Sequence, residues 1–202
     1  MSKNEKIMEK VLRLASTRKI IRVQDLTQHG IHPEYLRRLY EKGLLIRMSR
    51  GIYVSAGIEM SQDIGLAQVA KRVPNGVVCL LSSLQIHNIG TQSPFEVWIA
   101  VDRKSAKPRI DYPPVRIVRF SGKALSEGIE KHQIEGVEVK IFNKAKTIAD
   151  CFKYRNKIGL DVALEALKDC RQHRLCTNTQ LWEYAKICRV ANVMKPYLEA
   201  TL

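Results

Sequence analysis

The sequence predicts an α+β chain in two parts: a winged helix-turn-helix over residues 1–58, then a sheet-plus-helices part over residues 59–202 that ends in a helical bundle. Three observations predict this. Helical hydrophobic periodicity near the N-terminus gives way to two short β-rich runs around a glycine turn. Strand-like runs then recur up to residue 142. Beyond Asn143 the pattern turns helical again, with capping residues at the starts. A length of 202 residues suits one domain or two small ones, and 45% hydrophobic with 27% charged residues is the balance of a globular chain rather than a disordered one.

In the first part, Ile7, Met8, Val11, Leu12, Leu14 and Ala15 place a broad apolar stripe on a helix from Glu5 to Ser16. Ile20-Ile21-Arg22 reads as a short extended piece. Val23 to Thr27 reads as a second helix, closed at Gly30, where glycine takes the left-handed conformation. Pro33 suits the first position of a third helix, Pro33–Lys42, and Glu34 complements its positive end. That helix buries Leu36, Leu39 and Tyr40, projects Glu34, Tyr35, Arg37, Arg38 and Glu41, and stops at Gly43. Two strands around Ser49-Arg50-Gly51 follow as a hairpin, the wing.

Ser55-Ala56-Gly57 is the expected hinge. Ser61 is expected to cap a helix over 62–72, and Val77–Cys79, Phe95–Val101 and Val115–Phe120 read as strands, the last preceded by a loop with three prolines. Ile129–Ile134 and Val137–Phe142 flank Glu135-Gly136, a hairpin signal. Asn143 caps one helix, Asp161 a second, and Thr177 with Gln180 fits a capping box opening a third; a short helix from Asn192, carrying Pro196, finishes the chain.

Charge points to the partner. Thirty-four Lys+Arg against 20 Asp+Glu leave a formal net charge of +14, which favours nucleic acid or another polyanion. Residues 1–58 hold twelve basic and five acidic residues, half of the excess on under a third of the length. A winged helix places its second motif helix in the major groove and its wing against the backbone or minor groove. Tyr35, Arg37 and Arg38 are therefore expected at base edges and phosphates, with His32 at the helix start. Arg47 and Arg50, with Ser49 between them, are expected on the wing, and Arg18, Lys19 and Arg22 at the flank. The competing reading is a protein-docking module, in which the same arginines are a solvated face. Arg103, Lys104, Lys107, Arg109, Arg116 and Arg119 either form a second nucleic-acid surface or guard a loop and strand edge.

The stretch Ile20–Val54, with Leu-Arg-Arg-Leu-Tyr-Glu-Lys-Gly-Leu-Leu-Ile-Arg at its centre and Gly-Ile-Tyr closing it, resembles the N-terminal winged-helix domain of AbiEi-family antitoxins of type IV toxin–antitoxin systems. The resemblance continues in Cys79-Leu80-Leu81-Ser82-Ser83-Leu84-Gln85-Ile86-His87, in Val97-Trp98-Ile99-Ala100-Val101 and in Lys146-Thr147-Ile148-Ala149-Asp150-Cys151-Phe152. It implies an abortive-infection, phage-defence role with two jobs. The N-terminal domain would act as an autorepressor on double-stranded promoter DNA, two copies sitting on an inverted repeat. The C-terminal domain would counteract a nucleotidyltransferase-like toxin without a stable complex.

Catalysis is not expected. Asp111 with Glu138 and Lys140 echoes the D…E-x-K arrangement of metal-dependent nucleases, but Glu/Val/Lys alternation is also ordinary strand solubility. Cys170, His173 and Cys176 have ligand-type spacing without the second compact pair that zinc sites use, and Cys151 has no evident histidine partner. No phosphate-binding glycine loop or hydrolase motif is present, and no cofactor is expected. With five cysteines, an odd number at spacings that suggest no disulfide framework, no apolar run of ~18 residues and a polar start, the expectation is a cytoplasmic protein with no membrane partner.

Overall fold

The computed structural model describes residues 3–18, 20–56 and 63–200, so Lys19, Gly57, Ser61 and Gln62 of the expectations above lie outside the described residues, as does the side chain of Ser49. The chain divides into two compact units. The first comprises Met1–Pro74, Pro108–Pro113 and His132–Val139; the second comprises Asn75–Lys107, Pro114–Lys131 and Lys140–Leu202.

In the first unit the elements run α1 (Lys3–Arg18), β1 (Ile20–Arg22), α2 (Val23–Thr27), α3 (Glu34–Glu41), β2 (Leu45–Ser49), β3 (Ile52–Ser55) and α4 (Ile64–Arg72). The strands form an antiparallel sheet in the order β1-β3-β2, with Val54 opposite both Ile20 and Ile46. Val11 and Ala15 from α1 pack with Ile21, Leu26, Leu36, Leu39 and Leu45 into one core. This is the winged helix-turn-helix that the periodicity predicts.

Two details of α3 follow from local chemistry. Pro33 stands at the N-cap rather than inside the helix: its carbonyl accepts the Leu36 N–H at 3.0 Å, and His32 Nδ1 accepts the Glu34 N–H at 3.2 Å. At the other end Gly43, at φ 70°, lets the Leu44 N–H return to the Leu39 carbonyl and the Gly43 N–H to that of Tyr40. That pair of bonds is the left-handed stop which only glycine adopts without strain.

The second unit contains β4 (Val77–Val78), α5 (Leu80–Ile86), β5 (Val97–Asp102), β6 (Val115–Phe120), α6 (Lys123–Ser126), the start of β7 (Ile129–Ile134) and the end of β8 (Val137–Phe142), whose remaining residues fall in the first unit, and α7 (Lys144–Lys153), α8 (Arg155–Ile158), α9 (Leu160–Gln172), α10 (Asn178–Ile187) and α11 (Ala191–Ala200). Its sheet runs β6-β5-β4-β8-β7; β4 lies antiparallel to β5 and parallel to β8, and β5 lies parallel to β6. Phe142, Ile148, Phe152, Leu167, Leu181 and Met194 join sheet and helices in one core. Asn143 Oδ1 accepts the Lys146 N–H at 2.8 Å, and Thr177 and Gln180 exchange both bonds of a capping box, as their spacing predicts. Asp161 does not cap α9: the helix starts at Leu160, two residues earlier than that cap requires, behind Gly159 at φ 98°.

The segments that carry the family resemblance meet inside this core. Ser83 Oγ donates to the Phe142 carbonyl at 3.0 Å, Thr147 Oγ1 donates to it at 3.1 Å, and His87 Nε2 stands 2.8 Å away. Lys146 and Asp150, both fully buried on α7, form an ion pair, with Lys146 Nζ 4.0 Å from the centre of the Phe142 ring and the Cys188 thiol on the other Asp150 oxygen at 3.2 Å. Burial pushes the Asp150 carboxyl above its ordinary pKa against the pull of Lys146. Satisfying these groups internally fixes where α5 and α7 sit on the sheet.

Cys170 and Cys176 are joined as a disulfide with Cα atoms 6.4 Å apart, a pairing that the spacing did not suggest. Cys79, Cys151 and Cys188 are buried free thiols. Burial pushes the Cys151 thiol above its ordinary range, the opposite of nucleophile activation. Among the described residues no helix is long and apolar enough to cross a membrane.

Candidate nucleic-acid interface

The outward face of α3 is built by the two leucines opposite it. Leu36 and Leu39 are buried, and at 100° per residue this turns Glu34, Arg37, Arg38 and Glu41 to the solvent. Arg37, 63% exposed, bonds Glu34 at 2.6 Å and Glu41 at 2.9 Å; Arg38 lies 3.6 Å from Glu34. Arg37 therefore holds the Glu34 carboxyl below its ordinary pKa, and Glu34 raises that of Arg37. In the free protein this face carries two arginines and two carboxylates and is close to neutral. Composition alone could not show that balance.

Tyr35 is half-buried, with its hydroxyl donating to Asn4 Oδ1 at 2.8 Å and the Arg38 guanidinium 5.6 Å from its ring centre. Arg38 is thus steered along α3 by Tyr35, and Tyr35 is tied to α1. His32 is exposed at the helix start, where its Nδ1 is occupied by the Glu34 N–H.

The wing joins α3 through aromatic packing. Tyr40 and Tyr53 meet edge to face at 6.4 Å, and Arg47 is the ladder partner of Tyr53. Directly opposed residues share one face of a sheet, so exposed Arg47 projects on the α3 side of the hairpin. Arg50 is exposed at the hairpin turn.

A second cluster lies at the base of the wing. A cavity of about 230 Å³ is lined by Arg22, Arg50, Gly51, Lys71 and Arg72. Arg22 donates through Nη1 to the Lys71 carbonyl, and Arg72 through Nη2 to the Arg50 carbonyl. Arg22 Nε is buried without a hydrogen-bond partner among the described residues. Asp25 is a buried carboxylate of this cluster: it accepts from Lys71 Nζ and from the Arg22 N–H, both at 2.8 Å, with Arg18 3.9 Å away. Burial opposes ionisation of Asp25, yet these bonds outweigh it and hold the carboxyl below its ordinary pKa. Burial also lowers the pKa of Lys71, with Asp25 resisting.

The structure thus unites Arg22 and Arg50, which the sequence places twenty-eight residues apart, and adds Lys71 and Arg72, which sequence reading missed. Their only signal was two adjacent basic residues in the last turn of α4, which is also the ordinary way to complement a helix dipole. Arg18 sits at the rim on Asp25.

The other constellations do not assemble. Among the described residues no group of three or more His, Cys, Asp or Glu is placed to hold a metal ion. Cys170 and Cys176 are bonded to each other, and His173 Nδ1 lies 2.8 Å from Asp169.

Comparison with known proteins gives a family match and similar solved structures. Residues 9–56 match the family model described as transcriptional regulator, AbiEi antitoxin. In fold the chain is similar to the crystal structure of the RV2827C protein from Mycobacterium tuberculosis, with 15% identity and a TM-score of 0.63 over 98% of this chain and 80% of that one. No curated protein matches. The matched segment runs from within α1 to the end of the wing, and over those residues the chain is similar to the transcriptional-regulator domain of AbiEi antitoxins.

Proposed function

We propose that the chain is the antitoxin and autorepressor of a type IV toxin–antitoxin operon, binding inverted repeats in its own promoter as two copies. The observation that carries this reading is the AbiEi match over the part of the chain that bears the two-arginine helix and the cationic wing. Arg38, Arg37, Tyr35 and His32 enter the major groove from α3. Arg47, Ser49 and Arg50 take phosphates from the wing, and Arg18, Lys19 and Arg22 meet the flanking backbone. Lys71 and Arg72 extend that set, because they share a cavity with Arg22 and Arg50. The C-terminal unit counteracts a nucleotidyltransferase-like toxin without a stable complex, and the chain itself performs no catalysis.

The test is a gel-shift series on the promoter DNA upstream of the gene at several salt concentrations. Replacing Arg37, Arg38, Arg47 and Arg50 by alanine removes four cationic contacts and flattens the slope of log K against log[salt] by up to about 3–4. An unchanged slope rejects the assignment. A second reading, a protein-docking module, is favoured by the charge balance of Glu34, Arg37, Arg38 and Glu41 on the exposed face of α3. A complex with the neighbouring gene product that survives purification and is lost in the same variant would select it.

A further inference from the structure

The second unit contains a cavity of about 610 Å³ at the open edge of β6, within the size range of small-ligand sites. Ile117, Val118, Trp98 and Tyr154 form its apolar surface, and Arg116, Arg119 and Lys157 bring three cations to it from two elements. The guanidinium of Arg116 lies 5.4 Å from the centre of the Trp98 ring, and Lys157 Nζ 5.7 Å from that of Tyr154. Each ring wall is therefore flanked by a positive group.

The cations keep unused donors. Arg116 Nε bonds Glu96 at 2.8 Å, the one carboxylate that pairs with the three cations among the described residues. Arg119 spends Nη1 on the carbonyls of Asp102 and Ser105 and on the Ser105 hydroxyl, which fixes its plane and leaves Nη2 and Nε. Lys157 is exposed and makes no ion pair among the described residues.

The backbone contributes as well. In a parallel ladder alternate residues turn both their N–H and C=O to the same neighbour. The carbonyls of Pro114 and Phe120 accept from the β5 side, so Val115, Ile117 and Arg119 turn theirs to the open edge. Tyr154 Oη already donates to the Arg119 carbonyl at 3.2 Å. Pro113 and Pro114 precede the strand and have no N–H to offer. The edge left open inside the cavity is thus about one residue, the N–H and C=O of Ile117. That is too short to pair an added strand, but it matches the adjacent donor and acceptor on the edge of a nucleobase. Guarding a strand edge explains Arg116 and Arg119; it does not explain the aromatic walls or the lysine arriving from α8.

We propose that this cavity is a nucleotide-binding site: the base sits against the Ile117 backbone between the Trp98 and Tyr154 walls, and the phosphates lie on Arg116, Arg119 and Lys157. The site belongs to the second unit and does not depend on the promoter reading.

Trp98 supplies the readout, since the protein has two tryptophans and the other is Trp182. In the full chain carrying Trp182→Phe, intrinsic fluorescence is titrated with ATP, GTP, CTP and UTP, with the matching nucleosides, with inorganic tripolyphosphate and with a single-stranded oligonucleotide. The expected result is a saturable change with at least one nucleoside triphosphate, at lower concentration than with its nucleoside or with tripolyphosphate. Lys157→Ala and Arg116→Gln should each weaken it about tenfold, with an unchanged thermal midpoint. No saturable change with any triphosphate overturns the proposal. So does tripolyphosphate binding as tightly as the nucleotides, which would leave the base unrecognised, or an oligonucleotide that binds where free nucleotides do not. Affinity unaffected by either substitution in folded protein places the ligand elsewhere and also overturns it.

Discussion

Single residues show how a charged face can be poised. Arg37 is held by Glu34 and Glu41 through bonds spaced three and four residues along α3, so on the proposed reading promoter DNA competes for it against two carboxylates. Exposed pairs of this kind contribute little stability. On that reading their weight falls on binding, because Glu34 sets a negative charge beside both Arg37 and Arg38. Glu34→Gln is therefore expected to tighten promoter binding by about threefold to tenfold at low salt and to steepen the salt dependence, with little change in melting temperature. A gel shift at two salt concentrations checks it. If Arg37 plays no part in DNA contact, Glu34→Gln leaves the slope of log K against log[salt] unchanged. His32 illustrates a different lesson: a histidine beside a helix start reads as a groove contact in sequence, yet one ring nitrogen already accepts the Glu34 N–H.

At the scale of an element, α7 is the clearest case. Lys146 and Asp150 are one helical turn apart, and both are fully buried beneath the Phe120 and Phe142 rings and beside the Cys188 thiol. Taking two charges out of water is costly, and either charge left alone is worse than the pair. Asp150→Ala is expected to destabilise the protein by about 3–5 kcal/mol, and Lys146→Met together with Asp150→Leu to recover most of that loss. Urea unfolding of the single and double variants measures both. A double variant as unstable as the sum of the singles would show that the pair is not the unit. In the sequence, Lys146-Thr147-Ile148-Ala149-Asp150 looks like an ordinary amphipathic turn. An i,i+4 Lys–Asp pair is common on solvated faces, and nothing local distinguishes a buried one. The caps at Asn143 and Thr177 were legible because their bonds close within three residues. The start of α9 was not, because a glycine at positive φ can open a helix as well as end one.

For the whole molecule, +14 is divided evenly in number between the two sequence parts but not in use. One set of cations lies on α3, the wing and the Arg22–Lys71 cavity; another lines the edge of β6. The two binding readings should therefore separate. The quadruple arginine variant is expected to lose promoter affinity and keep nucleotide affinity, and Lys157→Ala the reverse. Loss of both activities in either folded variant would mean that one shared surface serves both ligands.

The sequence by itself determined the α+β class, the three helices and hairpin of the first unit, the strand pair around Glu135-Gly136 and the caps at Asn143 and Thr177. Each of these is written in periodicity or in bonds between residues a few positions apart. The tertiary structure alone decided that Arg22 and Arg50 share a cavity with Lys71 and Arg72, that Ser83, His87 and Thr147 converge on one carbonyl, that Cys170 joins Cys176, and that two strand arginines meet a lysine from a different helix. Those arrangements depend on how distant segments pack. Burial and partner identity are properties of that packing, and no local pattern of residue types encodes them.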